Sequence, residues 1–306
     1  QRIGRSTGGI RPMTFTSPIY GLESGAARLF LRVKATSSQT LELMSILKDI
    51  LQTARLDKKE RFLQIAYEEK AGIESRLAPA GHQIVNTRLR AMFNEADWAA
   101  EQMNGIEQLF FLRRIIERIE RDWASVQKDL ERLRQLLLQR CHLIVNVTTD
   151  EGSWSAIKPM LRDFLAQIPL GSPTIETWSP EISNADEGLT IPTLVNYVGK
   201  GMDLFSLGYL PDGSIEVITN YLRTTWLWER VRVRGGAYGG FCQFNQHSGV
   251  FSFISYRDPN LLQTLDVYDQ TEEFLRNLNL DHEELTKSVI GAIGEKDMYQ
   301  LPDARG

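Results

Sequence analysis

Arg232 and Tyr238 stand six residues apart, on either side of a Gly235–Gly236 pair. The first carries a permanent planar cation with five N–H donors, the second a phenol with one O–H donor. Converging donors of this kind suit a peptide carbonyl oxygen. The same residues also have structural uses. An arginine near a helix C-terminus complements the helix dipole, and Gly-Gly before a strand is a common helix stop and turn. Arg230 and Arg234 stand two residues to either side of Arg232 and read as solvated or salt-bridged surface cations.

The elements that must position these groups can be read around them. Residues 214–231 have helical period, and residues 239–244 and 249–256 read as two strands of a hairpin. Arg232 therefore belongs to a helix end, and Tyr238 to the strand that leaves it.

The segment RVRGGAYGG (232–240), followed by GVFSFISYRDPN (249–260), resembles the pitrilysin (insulinase-like) zinc metallopeptidases, in particular the C-terminal half of their presequence-protease branch. The likeness is densest over 189–306, where IPTLVNYVGKG (191–201) belongs to it. Over 1–168 it rests on GRSTGGI (4–10) and on the Gly81–His82 turn. The resemblance implies a metalloendopeptidase that degrades short unstructured peptides. It gives Tyr238 and Arg232 substrate and transition-state contacts, with the Tyr238 hydroxyl at the scissile carbonyl and Arg232 on a neighbouring one. Gly235, Gly236, Ala237 and Gly239 would lie along the substrate, where glycines let a backbone approach closely.

In that family zinc is held by an inverted HxxEH helix. This chain has four histidines, His82, His142, His247 and His282, and no two are spaced i, i+4. His282–Glu283 begins an HExxH-like string, but Thr286 stands at the second histidine position. The helix expected over 41–55, which would correspond to the metal helix, contains no histidine. The expectation is a half that binds no metal or cofactor, with zinc in the N-terminal catalytic half of the same chain as its partner and peptide as its substrate. By itself it is expected to be inactive. The alternative is a catalytically inert pitrilysin-like binding or scaffold subunit.

Composition sets outer limits. The chain has 306 residues, 42% of them hydrophobic and 24% charged, with a net charge of −4. That is an ordinary globular balance. The acidic balance speaks against a nucleic-acid partner, since the one basic cluster is local. No apolar run has the length of a membrane span, so no membrane partner is expected. Two cysteines, Cys141 and Cys242, are too few for a secreted disulfide framework and read as buried thiols. The expected location is the cytoplasm of a bacterium or an organelle matrix of a eukaryote. QRIGRSTGG lacks the apolar core of a signal peptide, and the chain reads as a piece of a longer protein.

The rest of the chain reads as α+β, with helices on one face of largely antiparallel sheets. Two related pitrilysin-type units are expected, at 1–168 and 189–306, the second incomplete at its C-terminus. Residues 169–188 form a linker marked by Pro169, Pro173 and Pro180. Strands are expected over 9–20 and 27–35, and helices over 41–54 and 58–72, the second turned inward by Phe62, Ile65 and Ala66 and ended by Gly72. His82 opens the next helix and reads as a helix-start residue, with no second metal ligand at a matching spacing. Residues 140–149 read as a buried strand, and 154–168 as a helix. From 109 to 137 apolar residues recur at threes and fours. That pattern fits a coiled coil in an interaction protein, one long packed helix, or two helices joined near Asp122 whose Trp123 and Leu130 meet the strands.

Overall fold

A computed structural model describes residues 2–22, 24–172, 180, 182–183 and 185–297. These residues are mixed helix and sheet, with two small antiparallel sheets among them, which is compatible with α+β.

After a short helix α1 (Arg2–Ser6), β1 (Ile10–Pro18) and β2 (Gly25–Val33) form a hairpin in register from Ile10↔Val33 to Pro18↔Gly25. Phe15 and Phe30 meet edge to face at 5.5 Å across it. Helix α2 (Thr40–Lys48) follows, then a wide helical turn over 49–53. Helix α3 (Lys59–Arg76) runs straight past Gly72, which does not end it. One glycine inside 18 residues costs only about 1 kcal/mol of propensity, and Ile73 beyond it is buried. The inward face is Ala66 and Ile73, with Leu63 beside them; Ile65 is exposed.

Helix α4 (Gly81–Arg90) begins at the Gly-His turn. Helices α5 (Glu95–Asn104) and α6 (Ile106–Arg121) come next, and α6 lays Ile106, Leu109, Leu112 and Ile116 against α3. The apolar repeat is broken at Asp122, whose carboxylate accepts the Ser125 N–H and caps α7 (Trp123–Leu137). The heptad-like run is thus two helices, the first buried within the chain. Trp123, expected against the strands, rests instead on Phe62 of α3 at 5.6 Å. Leu133, Leu136 and Leu137 at the end of α7 stay exposed.

Residues 140–149 are not a buried strand. A tight turn over Arg140–His142 leads into an extended stretch in which Ile144 is 78% exposed. Its start is held by the Arg140 and Cys141 N–H groups on the Pro169 and Leu170 carbonyls, and no ladder partner follows among the described residues. An apolar run can form a buried strand only where neighbouring strands satisfy its backbone. Cys141 is correspondingly exposed, while Cys242 is buried. Helix α8 (Glu151–Ala166) closes this part. Within the linker candidate, the described residues carry no regular element; Pro173 and most of the stretch to 181 lie outside them.

The second sheet has the order β3–β5–β4, from β3 (Gly199–Asp203), β4 (Gly239–Phe244) and β5 (Val250–Tyr256). Between β3 and β4 run α9 (Ser214–Thr224) and a wide helical turn, Trp228–Arg234. The hydroxyls of Thr224 and Thr225 donate back to the Asn220 and Tyr221 carbonyls, where α9 gives out. One face of the sheet packs on α9 and the wide turn, through Leu222, Leu227, Val231 and Cys242. The other face is covered by α4, so helices lie on both faces of this sheet and not on one as expected, because an apolar face left by α9 would otherwise meet water: the Ser252 hydroxyl donates to Asn86 Oδ1 at 2.9 Å, and Val85 and Leu89 lie over Gly199 and Gly201. Helices α10 (Leu262–Asp269), α11 (Thr271–Arg276) and α12 (His282–Lys296) complete the fold. No described helix is long and apolar enough to cross a membrane.

Candidate active site

The Gly235–Gly236 turn is held from both sides. The N–H groups of Gly235, Gly236 and Ala237 donate to the carbonyls of Arg230, Arg232 and Val231, closing the wide helical turn. A side chain on Gly235 would put its first carbon 2.5 Å from the Val231 carbonyl oxygen, and Gly236 has φ +78°. The Gly235 carbonyl in turn accepts the Asn260 side-chain amide at 2.6 Å. Ala237 drops into the core at 3% exposure and its N–H is spent on the Val231 carbonyl, so neither its side chain nor its N–H is open to a ligand. Residues 235–237 are therefore a turn, and the strand begins at Gly239. The open face of Gly239 is occupied from within: a side chain there would meet the Phe241 ring at 2.7 Å.

This turn delivers Arg232 and Tyr238 to the surface together. The guanidinium carbon of Arg232 lies 4.0 Å from the centre of the Trp228 ring and 6.0 Å from that of Tyr238. Trp228 and Arg232 are four apart on a helical turn, which brings them to one side. Tyr238 is 67% exposed. Among the described residues no carboxylate pairs with Arg232, whereas Arg234 is tied to Glu229 at 2.8 Å and Arg230 lies over Trp226 at 4.8 Å. The patch thus offers one uncommitted guanidinium beside one uncommitted phenol, a donor surface for carbonyl or carboxylate oxygens.

The neighbouring strand completes the site. The Tyr238 N–H donates to the Tyr256 carbonyl at 2.9 Å, and the two rings meet edge to face at 5.8 Å. Arg257 lies over Tyr256 at 5.4 Å and is the sole described non-glycine residue with positive φ, +48°. Behind it, the fully buried Asp258 accepts from the Thr264 hydroxyl at 2.7 Å and the Asn260 N–H at 2.9 Å. Sequence reasoning finds the string SYRDPN but gives neither Tyr256 nor Arg257 a place beside Tyr238, and it passes over Trp228. The i, i+4 spacing of Trp228 and Arg232 is a usable signal; the pairing of Tyr238 with Tyr256 needs the strand register.

His82 is the second residue of α4, and its ring sits between Phe241 and Tyr256, at 6.0 and 4.6 Å. Burial lowers its pKa and favours the neutral imidazole. Among the described residues no group of three or more histidines, cysteines and carboxylates stands close enough together to hold a metal ion.

Comparison with known proteins gives the site its context. The family described as "PreP C-terminal domain" matches residues 186–306, and a second, peptidase-associated family matches residues 1–115. The chain is 44% identical to presequence protease 1, chloroplastic/mitochondrial, of Arabidopsis thaliana, over 100% of this chain and 28% of that protein. It is 28% identical to the protein HypA of Clostridium perfringens, over 96% of this chain and 30% of that one. To the mitochondrial presequence protease of Eremothecium gossypii it is 28% identical, over 90% and 29%. The chain thus spans less than a third of the length of these relatives. Matched at both ends and alike throughout, it belongs to the pitrilysin (insulinase-like) peptidase family, as part of the C-terminal half of the presequence-protease branch.

Proposed function

We propose that this chain is part of the C-terminal, non-zinc-binding half of a zinc metalloendopeptidase that degrades short unstructured peptides. The observation that carries this reading is the exposed, uncommitted pair of Arg232 and Tyr238 on a rigid turn. In the complete protein this half closes over the substrate held by the N-terminal half of the same chain, which carries the zinc. The Tyr238 hydroxyl donates to the oxygen of the scissile carbonyl as negative charge develops on it. Arg232 grips a neighbouring backbone carbonyl with its planar fork. The Gly235–Gly239 turn and the start of β4 flank the peptide, and β4 is an edge strand of its sheet among the described residues, which leaves one side for an extended chain.

The same proposal includes two related α+β units, over 1–168 and 189–306, with α4 of the first laid over the sheet of the second. It includes an organelle-matrix location if the source is eukaryotic. The exposed apolar stretch around Ile144 supports the view that further chain packs here.

The test uses the complete enzyme and a flexible peptide. Tyr238→Phe removes one O–H donor and almost no volume; losing a donor aimed at an oxyanion costs roughly 100- to 1000-fold in kcat. Arg232→Lys keeps the charge and loses the fork. Both variants are expected to lose kcat/KM at unchanged melting temperature and zinc content. Wild-type turnover in both, or unfolding of both, overturns the reading. The isolated chain, incubated with zinc and the same peptide, is expected to cleave nothing.

A further inference from the structure

We infer that His82 is a positioning residue for Tyr238, acting through the ring of Tyr256; the inference rests on the role proposed for Tyr238. A phenol that is 67% exposed has little to hold its orientation. Tyr238 has two anchors on its strand neighbour: its N–H on the Tyr256 carbonyl, and the edge-to-face contact of the two rings at 5.8 Å and 89°. Where the Tyr238 hydroxyl points is therefore set by where the Tyr256 ring stands.

The Tyr256 ring is itself set by α4. Its nearest aromatic neighbour is His82, 4.6 Å away and inclined at 61°. In the strand register Tyr256 stands opposite Gly239, and the Phe241 ring folds over that glycine. Phe241 and Tyr256 thus form a diagonal cross-strand pair on the face that α4 covers. The imidazole of His82 packs between them. The helix start that carries it is pinned in turn: the Tyr197 hydroxyl donates to the Ala78 carbonyl, and the Tyr197 ring lies so close to Gly81 that a side chain there would meet it at 2.4 Å. Tyr197 also approaches Tyr256 at 6.0 Å.

The histidine has no other evident occupation. Its Nδ1 is buried without a hydrogen-bond partner, a loss that folding does not usually leave in place without cause. A neutral aromatic ring wedged at this point does for Tyr256 what packing does for the rotamer of any site residue: it removes the alternatives. The route also joins two stretches far apart in sequence, since α4 lies within the family match over 1–115 and Tyr238 within the match over 186–306.

The test is a double-mutant cycle in the complete enzyme with a flexible peptide substrate, using His82→Ala, Tyr238→Phe and both together. His82→Ala is expected to lower kcat about tenfold to a hundredfold, as a misplaced catalytic group does, with KM changed less than about twofold. His82→Phe, which keeps a flat neutral ring, restores most of that loss. In the Tyr238→Phe background His82→Ala costs nothing further, because no hydroxyl remains to be aimed. A loss of equal size in both backgrounds, or no loss at all while Tyr238→Phe alone is impaired, overturns the role of His82 and leaves that of Tyr238 standing. Full activity of Tyr238→Phe overturns the reading of Tyr238 first. Should His82→Ala fail to fold, as judged by its melting curve, the cycle is run with His82→Leu, and the same outcomes decide.

Discussion

The Arg232 guanidinium carbon stands 4.0 Å above the Trp228 ring, closer than it comes to the ring of Tyr238. Arg232 and Trp228 both lie on the wide helical turn that precedes the glycine pair. Trp228 therefore acts as a platform that holds the cation at the side of Tyr238. A cation over an indole gains about 0.5–2 kcal/mol. Trp228→Leu in the complete enzyme is expected to lower kcat/KM by about 2- to 30-fold, mostly through Arg232, with a small change in melting temperature. Steady-state kinetics of Trp228→Leu, Arg232→Gln and the double variant check it: the double variant should be no worse than Arg232→Gln alone.

The two glycines of the turn fail differently when substituted. Gly236→Ala meets only the Pro259 ring, at an ordinary 3.6 Å, but must hold φ at +78°, which costs an L-residue roughly 1–2 kcal/mol. Gly236→Asn should cost less, since asparagine visits that region more readily. Gly235→Ala drives a carbon to 2.5 Å from the Val231 carbonyl, a backbone atom with little freedom to move. Thermal melting should rank the chains wild type, Gly236→Asn, Gly236→Ala and Gly235→Ala, in falling order. A Gly235→Ala variant as stable as wild type would refute the close packing of this turn.

Parts of this arrangement are legible in the residues alone because they are local. The hairpin over 239–256, the break at Asp122 and the helix start at His82 all come from period, capping and turn chemistry between near neighbours. Residues 140–149 mislead because an apolar run states that it wants burial and says nothing of what will cover it. Gly72 misleads because a glycine stops a helix only where the next residues have no reason to continue it, and Ile73 is buried beyond it. At the site, Arg232 and Tyr238 stand out because they lie close in sequence. Tyr256 and His82 do not, because their nearness to Tyr238 depends on strand register and on the docking of a helix more than 150 positions earlier.

Asp258 anchors the loop that follows Tyr256 and carries Arg257. Its carboxylate is fully buried and accepts from Thr264 and from the Asn260 N–H, while its backbone exchanges hydrogen bonds with Asn196. Asp258→Ala leaves a hydroxyl and an amide without partners in a dry site. The expected loss is about 2–3 kcal/mol, the size of a buried hydrogen bond to a charged group. Urea or thermal unfolding of the chain measures it. Thr264→Val, which removes one of the two side-chain donors, should lose less than Asp258→Ala.

Glu101 makes stability depend on pH near neutrality. It is 1% exposed, at the junction of α5 and α6, and burial pushes its pKa from 4.5 up to about 7. The N–H groups of Glu107 and Ile106 and the charge of Arg88, 3.4 Å away, pull the other way without cancelling the shift. Arg88 divides itself among Glu101, Glu107 and Glu187, with its shortest contact on Glu187 at 2.7 Å, and the second Glu101 oxygen has no partner at all. Between about 4.5 and about 7 the folded chain binds more protons at this site than the unfolded one. The contribution is therefore fully present below 4.5 and is lost as pH rises through 7. Glu101→Gln keeps an acceptor for the two amides and cannot ionise. Its melting temperature relative to wild type should climb as pH goes from about 4.5 to about 7 and level off above that. Melting curves of the two chains across pH 4 to 8 decide it; a difference that stays flat, or that falls with pH, means that Glu101 is charged in the folded chain throughout and that Arg88 outweighs its burial.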